Sequence, residues 1–239
     1  MAIPEFIIVS WSKNCTKKLC TTRNYLTLIL TENSSHVCAS CDVLLGLVFT
    51  MKKIVLTGGP CAGKTTIAEV LSRAFAGHIS VVPESASLLF RGGFPRWKEN
   101  QQPLQKAIYE VQRQLEDSYS LHHPTRVLVL DRGTIDGAAY WPQGAESFFQ
   151  VMGSSLEKEL DRYSEVIYLE SAGEAEYEAH KKKNHYRTET WEEAKRLDDK
   201  TYKIWQRHPL LHTIENHLAF HEKIHHVITI VEKSLKGDS

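Results

Sequence analysis

Short apolar runs recur along the chain, and between them apolar residues return at helical spacing. Ile54-Val55-Leu56, His78-Ile79-Ser80-Val81-Val82, Val127-Leu128-Val129-Leu130, Glu165-Val166-Ile167-Tyr168-Leu169 and Leu211-His212-Thr213-Ile214 have the composition of strands in a buried parallel sheet. Ile67, Val70, Leu71 and Ala74 mark a helix after the first run, and Pro103 opens a longer one through Ile108, Val111, Leu115 and Tyr119. Thr190 and Glu193 have the capping-box spacing, which predicts a helix start there and a stop at His208-Pro209. Phe220 to Leu235 predicts the last helix. Strands alternating with helices predict an α/β three-layer sandwich, a doubly wound sheet of five parallel strands.

The first fifty residues break this pattern. Their apolar groups, such as Phe6 to Val9 and Tyr25 to Leu30, are short and lack a sustained helical period. Charged side chains are sparse there, and Glu5 stands where a secretory signal would carry basic residues. Residues 1–50 are therefore expected to be a poorly ordered extension, or at least no part of the core, with residues 51–239 forming the main domain. Met51-Lys52-Lys53 leads directly into the first strand, as a native start would.

Composition narrows the function classes. The chain has 239 residues, 42% apolar and 24% charged, an ordinary globular balance that can bury a sizeable core. Lysine plus arginine equals aspartate plus glutamate at 29 each, so no bulk charge draws it to nucleic acid or an anionic membrane. No run approaches the roughly 18 apolar residues of a membrane span. A cytoplasmic protein is expected. Of the five cysteines, Cys15, Cys20, Cys38 and Cys41 lie in the extension. Their irregular spacing fits a zinc site poorly and gives no disulfide scaffold.

The chemistry is concentrated where the first strand ends. Gly58-Gly59-Pro60-Cys61-Ala62-Gly63-Lys64-Thr65 satisfies G-x-x-x-x-G-K-[ST], between a strand and a helix that begins near Thr66. In that context the glycines let backbone N–H groups turn inward on phosphate oxygens, and the helix N-terminus adds its positive dipole end. Lys64 is placed for the β- and γ-phosphates and the Thr65 hydroxyl for magnesium. Cys61 is a small filler of the loop or a thiol with a lowered pKa, and the filler is the simpler reading.

Ligands of an open parallel sheet gather at the carboxyl ends of its strands. Pro83-Glu84 closes the second strand, where Glu84 can deprotonate an acceptor hydroxyl or merely start a helix. Asp131-Arg132-Gly133 closes the third, a Walker B position for an acid near the metal, with Arg132 able to bridge phosphate oxygens. Asp136 caps a helix or meets the acceptor. After the fourth strand, a basic stretch within residues 174–190 contains Lys181-Lys182-Lys183 and Arg187. Such a segment can close over a nucleotide as a lid, with Arg187 the first choice and Lys183 the second for the charge it delivers.

Gly-Gly-Pro-Cys-Ala-Gly-Lys-Thr-Thr, Pro83-Glu84, Asp131-Arg132-Gly133, Arg187-Thr188-Glu189-Thr190 and His208-Pro209, taken in order, resemble a known group over residues 51 to 235. It is the P-loop kinase-like AAA-domain family that holds the kinase domain of NadR and the TRPL-translocation-defect proteins. The resemblance implies a nucleoside-kinase-like P-loop NTPase core that binds ATP, or GTP, with magnesium. No Asn-Lys-x-Asp guanine reader occurs, and kinase-like folds often read the base after the fifth strand, here near Asn216. The expected activity is transfer of the ATP γ-phosphoryl group to a hydroxyl of a nucleoside-like small molecule. The alternative is a nucleotide-dependent switch, or slow NTPase, acting through a protein partner.

Overall fold

The computed structural model describes residues 18–22, 25–29, 51–181 and 190–237. Contacts divide the chain into two units, Met1–Thr50 and Met51–Ser239. In the first, β1 (Lys18–Thr22) pairs antiparallel with β2 (Tyr25–Ile29), a hairpin that the short apolar groups of the sequence do not announce. Cys20 lies on β1. Cys15, Cys38 and Cys41 fall outside the described residues, among which no His, Cys, Asp and Glu side chains cluster as a metal site.

The second unit is built on five parallel strands, β3 (Lys53–Gly58), β4 (Ile79–Val82), β5 (Val127–Asp131), β6 (Glu165–Leu169) and β7 (Leu211–Ile214). Their order is β4-β5-β3-β6-β7, with β3 in the centre. The central strands are fully buried, so both faces are apolar and the alternation splits them between two cores. Val55, Leu128, Leu130 and Val166 point into one core. Ile54, Leu56, Val129, Ile167 and Leu169 point into the other.

The second core is closed by α1 (Lys64–Ala74) and the last helix, α8 (Phe220–Lys236), through Ile67, Leu71, Val227 and Val231. The first is closed by several elements. These are the long α3 (Gln101–His122), on which the short α2 (Ser85–Arg91) packs, the 3₁₀ run Thr134–Tyr140, α4 (Ala145–Val151), α5 (Leu156–Leu160) and α7 (Trp191–Trp205). Tyr109, Ile135, Phe148, Leu160 and Trp205 are their main contributions. The three layers expected from the sequence are present.

Two boundaries differ from expectation. The long helix begins at Gln101 and carries Pro103 within its first turn, where a missing N–H costs nothing. Between β5 and β6 the chain folds into the 3₁₀ run and the short α4 and α5, which show too few turns for a periodic signal. The capping box holds: the Glu193 N–H donates to Thr190 Oγ1 at 3.2 Å, and the Thr190 N–H to Glu193 Oε2 at 2.8 Å. Of the lid segment, α6 (Glu174–Lys181) is described. Lys183 and Arg187 lie outside the described residues. Among the described residues no helix is long and apolar enough to cross a membrane.

Candidate functional site

All five strands are parallel, so their carboxyl ends share one edge of the sheet. At the centre of that edge β3 passes into the glycine loop. Gly58 has φ +128°, and a side chain there would collide with the Leu169 carbonyl of β6. Gly63 has φ +83° and is the N-cap of α1, so its left-handed turn aims the first N–H groups of the helix back into the loop. Cys61 also adopts a left-handed φ of 60°, is half-buried and faces the cleft described below. Lys64 is buried and folds back to donate to the carbonyls of Gly58 at 3.0 Å and Gly59 at 2.7 Å. Burial, followed by the neighbouring Arg132 charge, pushes its ammonium down to about 8.

Thr65, one residue into the helix, donates its hydroxyl to Asp131 Oδ2 at 2.7 Å. The other oxygen of this buried acid, Oδ1, has no hydrogen-bond partner among the described residues. Burial, with Glu84 adding to it, raises the Asp131 carboxyl above the ordinary carboxylate range. A buried carboxylate oxygen without a donor, beside a hydroxyl, is a deficit that a hard oxygen-seeking cation relieves.

Arg132 follows in a left-handed conformation, φ 74°, which costs a non-glycine residue about 1 kcal/mol. Five contacts hold it, one of them from Nη1–H to the Gly58 carbonyl at 3.3 Å. Its N–H donates to the Leu56 carbonyl at 3.0 Å, and its own carbonyl accepts from Gln112 Nε2 at 3.1 Å. The guanidinium gives Nε–H to Glu84 Oε1 at 2.8 Å and Nη1–H to Asp136 Oδ1 at 3.0 Å. Asp136 is fixed in turn by the Thr57 hydroxyl at 2.6 Å and the Gly133 N–H at 2.9 Å. It therefore caps the 3₁₀ run and anchors the arginine, one of the two roles its position suggested.

Glu84 occupies the N-cap position of α2, yet its side chain accepts no bond from the N–H groups of that helix. Its second oxygen accepts from the Ser87 hydroxyl instead. About a quarter of the side chain is exposed. Burial alone would raise its pKa, but the Arg132 charge and the Ser87 hydroxyl outweigh that and hold the carboxyl below its ordinary range.

Lys64, Thr65, Glu84, Asp131 and Arg132 line one cleft of about 820 Å³, within the size range of small-molecule sites. Cys61, Ala62, Gly63 and Thr66 belong to the same wall. Gly58, Gly59 and Pro60 form the buried root of the loop behind it. The opposite wall is the β7–α8 connection, Asn216 to Ala219, with Phe220 and the buried Lys223. The Phe220 ring packs on Gly63, 2.6 Å from where a side chain there would begin. The region near Asn216 thus lines the same cleft as the glycine loop.

The structure brings together every predicted site residue it describes, and Lys183 and Arg187 lie outside the described residues. The sequence gives no signal for Thr57, which holds Arg132 through Asp136, or for Ser87, which bonds Glu84 within one turn. Gln112 stood among the polar residues of a helix face, and only its burial, with 1% exposed, separates it from them.

Two solved structures show where the fold stands. Deoxyadenosine kinase from M. mycoides with bound dATP superimposes with a TM-score of 0.53 at 14% identity, covering 76% of this chain and 99% of that one. The same enzyme with bound dCTP gives 0.50 at 15% identity over 76% and 99%. The chain has the α/β fold of these nucleoside kinases. Among curated proteins none matches it by sequence. A family model described as an AAA domain matches residues 53–223, more than half of the 239 residues, and the chain belongs to that family.

Proposed function

We propose that the cleft binds a nucleoside triphosphate, ATP in the first instance, with magnesium, and passes the γ-phosphoryl group to a hydroxyl of a nucleoside-like small molecule. The observation that carries this reading is the meeting of four charged groups on one wall: Lys64 and Arg132 as cations, Asp131 with Thr65 as an oxygen pair, and Glu84 as an ionised, partly exposed carboxylate. Lys64 exchanges the loop carbonyls for the β- and γ-phosphates, and Arg132 neutralises charge on the transferring group. Asp131 and Thr65 would hold the magnesium, which supplies charge neutralisation on the phosphates when bound. Glu84 takes the proton of the acceptor hydroxyl as its oxygen bonds to the γ-phosphorus and the bond to the β–γ bridging oxygen breaks. The diphosphate leaves with that electron pair. The nucleoside-kinase fold and the unused N-cap role of Glu84 both support this assignment.

A nucleotide switch with slow hydrolysis is the second reading. It draws on the fact that both Glu84 oxygens are engaged, one by Arg132 and one by Ser87. The test is calorimetric titration of Mg–ATP into the parent protein and Lys64→Ala, followed by a screen of nucleosides for acceptor-dependent ADP formation. The proposal expects binding in the parent, weakened about 100-fold or more in the variant with the fold kept. Equal binding by the two proteins would remove the phosphate assignment. Hydrolysis that no acceptor stimulates would select the switch.

A further inference from the structure

Against the glycine loop, among side chains that do not line the cleft, lies a buried carboxylate that the proposed chemistry does not use. Asp198 of α7 is 4% exposed, and the exposed Lys195 that its charge reaches is ion-paired with Asp199 instead. Its side chain accepts from the Tyr168 hydroxyl and, through Oδ2, from the Ser171 N–H at 3.2 Å. Tyr168 also donates to the Asp198 backbone carbonyl at 2.9 Å and packs edge-on against Tyr202, one turn further along α7. The Asp198 side chain is therefore locked from two directions at the carboxyl end of β6.

This locked group touches the loop. Gly59 lies so close that any side chain there would collide with Ser171 Oγ and stand 2.7 Å from the Asp198 carboxyl. Ser171 is 2% exposed, and its hydroxyl has no hydrogen-bond partner among the described residues although it faces Gly59. Joining a helix to a strand takes only apolar packing, whereas a buried carboxylate, even one held by two hydrogen bonds, carries a desolvation cost that packing avoids. The carboxylate is placed where a rigid, hydrogen-bonded surface meets the first turn of the loop.

We infer that Asp198 is a positioning residue for phosphate binding: with Tyr168 and Ser171 it forms a brace that holds Gly59, and so the loop, in its phosphate-accepting shape. The inference rests on the reading of the loop as a phosphate cradle. It makes a prediction opposite in sign to simple electrostatics. Deleting a negative charge near a polyphosphate should tighten binding by Coulomb's law, whereas deleting a brace should weaken it.

The experiment uses magnesium tripolyphosphate and Mg–ATP as probes on the full chain, comparing the parent with Asp198→Ala, Asp198→Asn and Tyr168→Phe. Tripolyphosphate lacks base and ribose and reports on the cradle alone. Dissociation constants should rise about tenfold in Asp198→Ala for both probes, the scale of a lost charge-assisted hydrogen bond. Asp198→Asn and Tyr168→Phe, which keep part of the brace, should give smaller rises in the same direction. A purely structural role would lower the unfolding midpoint and leave both constants where they were. Constants unchanged or lower in the variants overturn the inference, and if Asp198→Ala fails to fold, the other two variants decide it. A parent that binds neither probe would instead overturn the cradle itself, and the brace with it.

Discussion

At the scale of single residues the site is set by competition for charge. Arg132 is shared between Glu84 and Asp136, and Lys64 between two loop carbonyls, so each cation already has partners that a phosphate must displace. The exchange favours phosphate, because a dianionic group offers more charge than a carbonyl or one shared carboxylate. If Arg132 turned to phosphate, as the proposed function requires, Glu84 would keep only its bond from Ser87 and gain a free oxygen for an acceptor hydroxyl. On the proposed function the nucleotide would bind first and the base would become available second. Glu84→Gln should therefore leave Mg–ATP affinity within a few-fold of the parent and slow acceptor-dependent transfer by roughly 10²–10⁴-fold, the usual contribution of a general base. Calorimetry and a coupled ADP assay on the two proteins check both halves. Unchanged transfer would leave Glu84 as an anchor for Arg132 and nothing more. Lys64, Thr65, Glu84 and Asp131 were legible in the sequence because each closes a strand or belongs to a contiguous motif. The left-handed turn at Arg132 was not, since its supports at Gln112 and Leu56 are tertiary contacts.

At the scale of elements, the turn that carries Arg132 rests on a buried polar network between α3, α5 and the 3₁₀ run. Glu116 accepts from Lys53 at 3.0 Å and Arg162 at 2.7 Å, and Glu159 accepts from Tyr109, Thr134 and Ser154 at 2.6–2.7 Å. The Tyr163 hydroxyl joins the two clusters by accepting from the Thr134 N–H and donating to Glu116. Burial alone would raise the Glu159 carboxyl, but the Ser154, Tyr109 and Thr134 hydroxyls and the Arg162 charge hold it below its ordinary 4.5. A carboxyl depressed in the folded state contributes stability above its unfolded value and loses it as pH falls through the folded one. Urea unfolding of the parent should thus weaken progressively below pH 4.5. Glu159→Gln should be about 2 kcal/mol less stable at neutral pH, with a flatter acid dependence. Parallel pH profiles for the two proteins would exclude Glu159 from the acid response. None of this network was visible in the pattern of the chain. Its members are scattered over several elements, from Lys53 on β3 to Glu116 on α3 and Glu159 on α5, and α5 is too short to show a period. The helices with several turns and caps, such as α7 with its box at Thr190, were visible because local chemistry alone defines them.

At the largest scale, the unit Met51–Ser239 is a central strand with its loop in a five-stranded sheet, flanked on both faces by helices. Every strand of the five-stranded sheet, both apolar cores and all cleft residues lie between Met51 and Lys236. Met51 itself packs against the core that holds Val55 and Trp205, and the Lys52 ammonium donates to the Ser234 carbonyl at 2.8 Å, tying the beginning of this unit to its last helix. A domain whose first and last elements are joined in this way, and whose sheet has its central strand immediately after Met51, contains the contacts that a cooperative fold requires. The β1–β2 hairpin adds no strand to that sheet. A chain shortened to begin at Met51 should accordingly unfold in one transition at the midpoint of the full chain's main transition, and bind Mg–ATP with the same constant. Thermal unfolding followed by circular dichroism, with calorimetry on the shortened and full chains, measures both. Were the shortened chain to aggregate or to lose affinity, residues 1–50 would have to contribute to the folded domain or to its cleft. Stoichiometric zinc in the full chain, absent from the shortened one, would give the cysteines of that segment the metal-binding role that their spacing argues against.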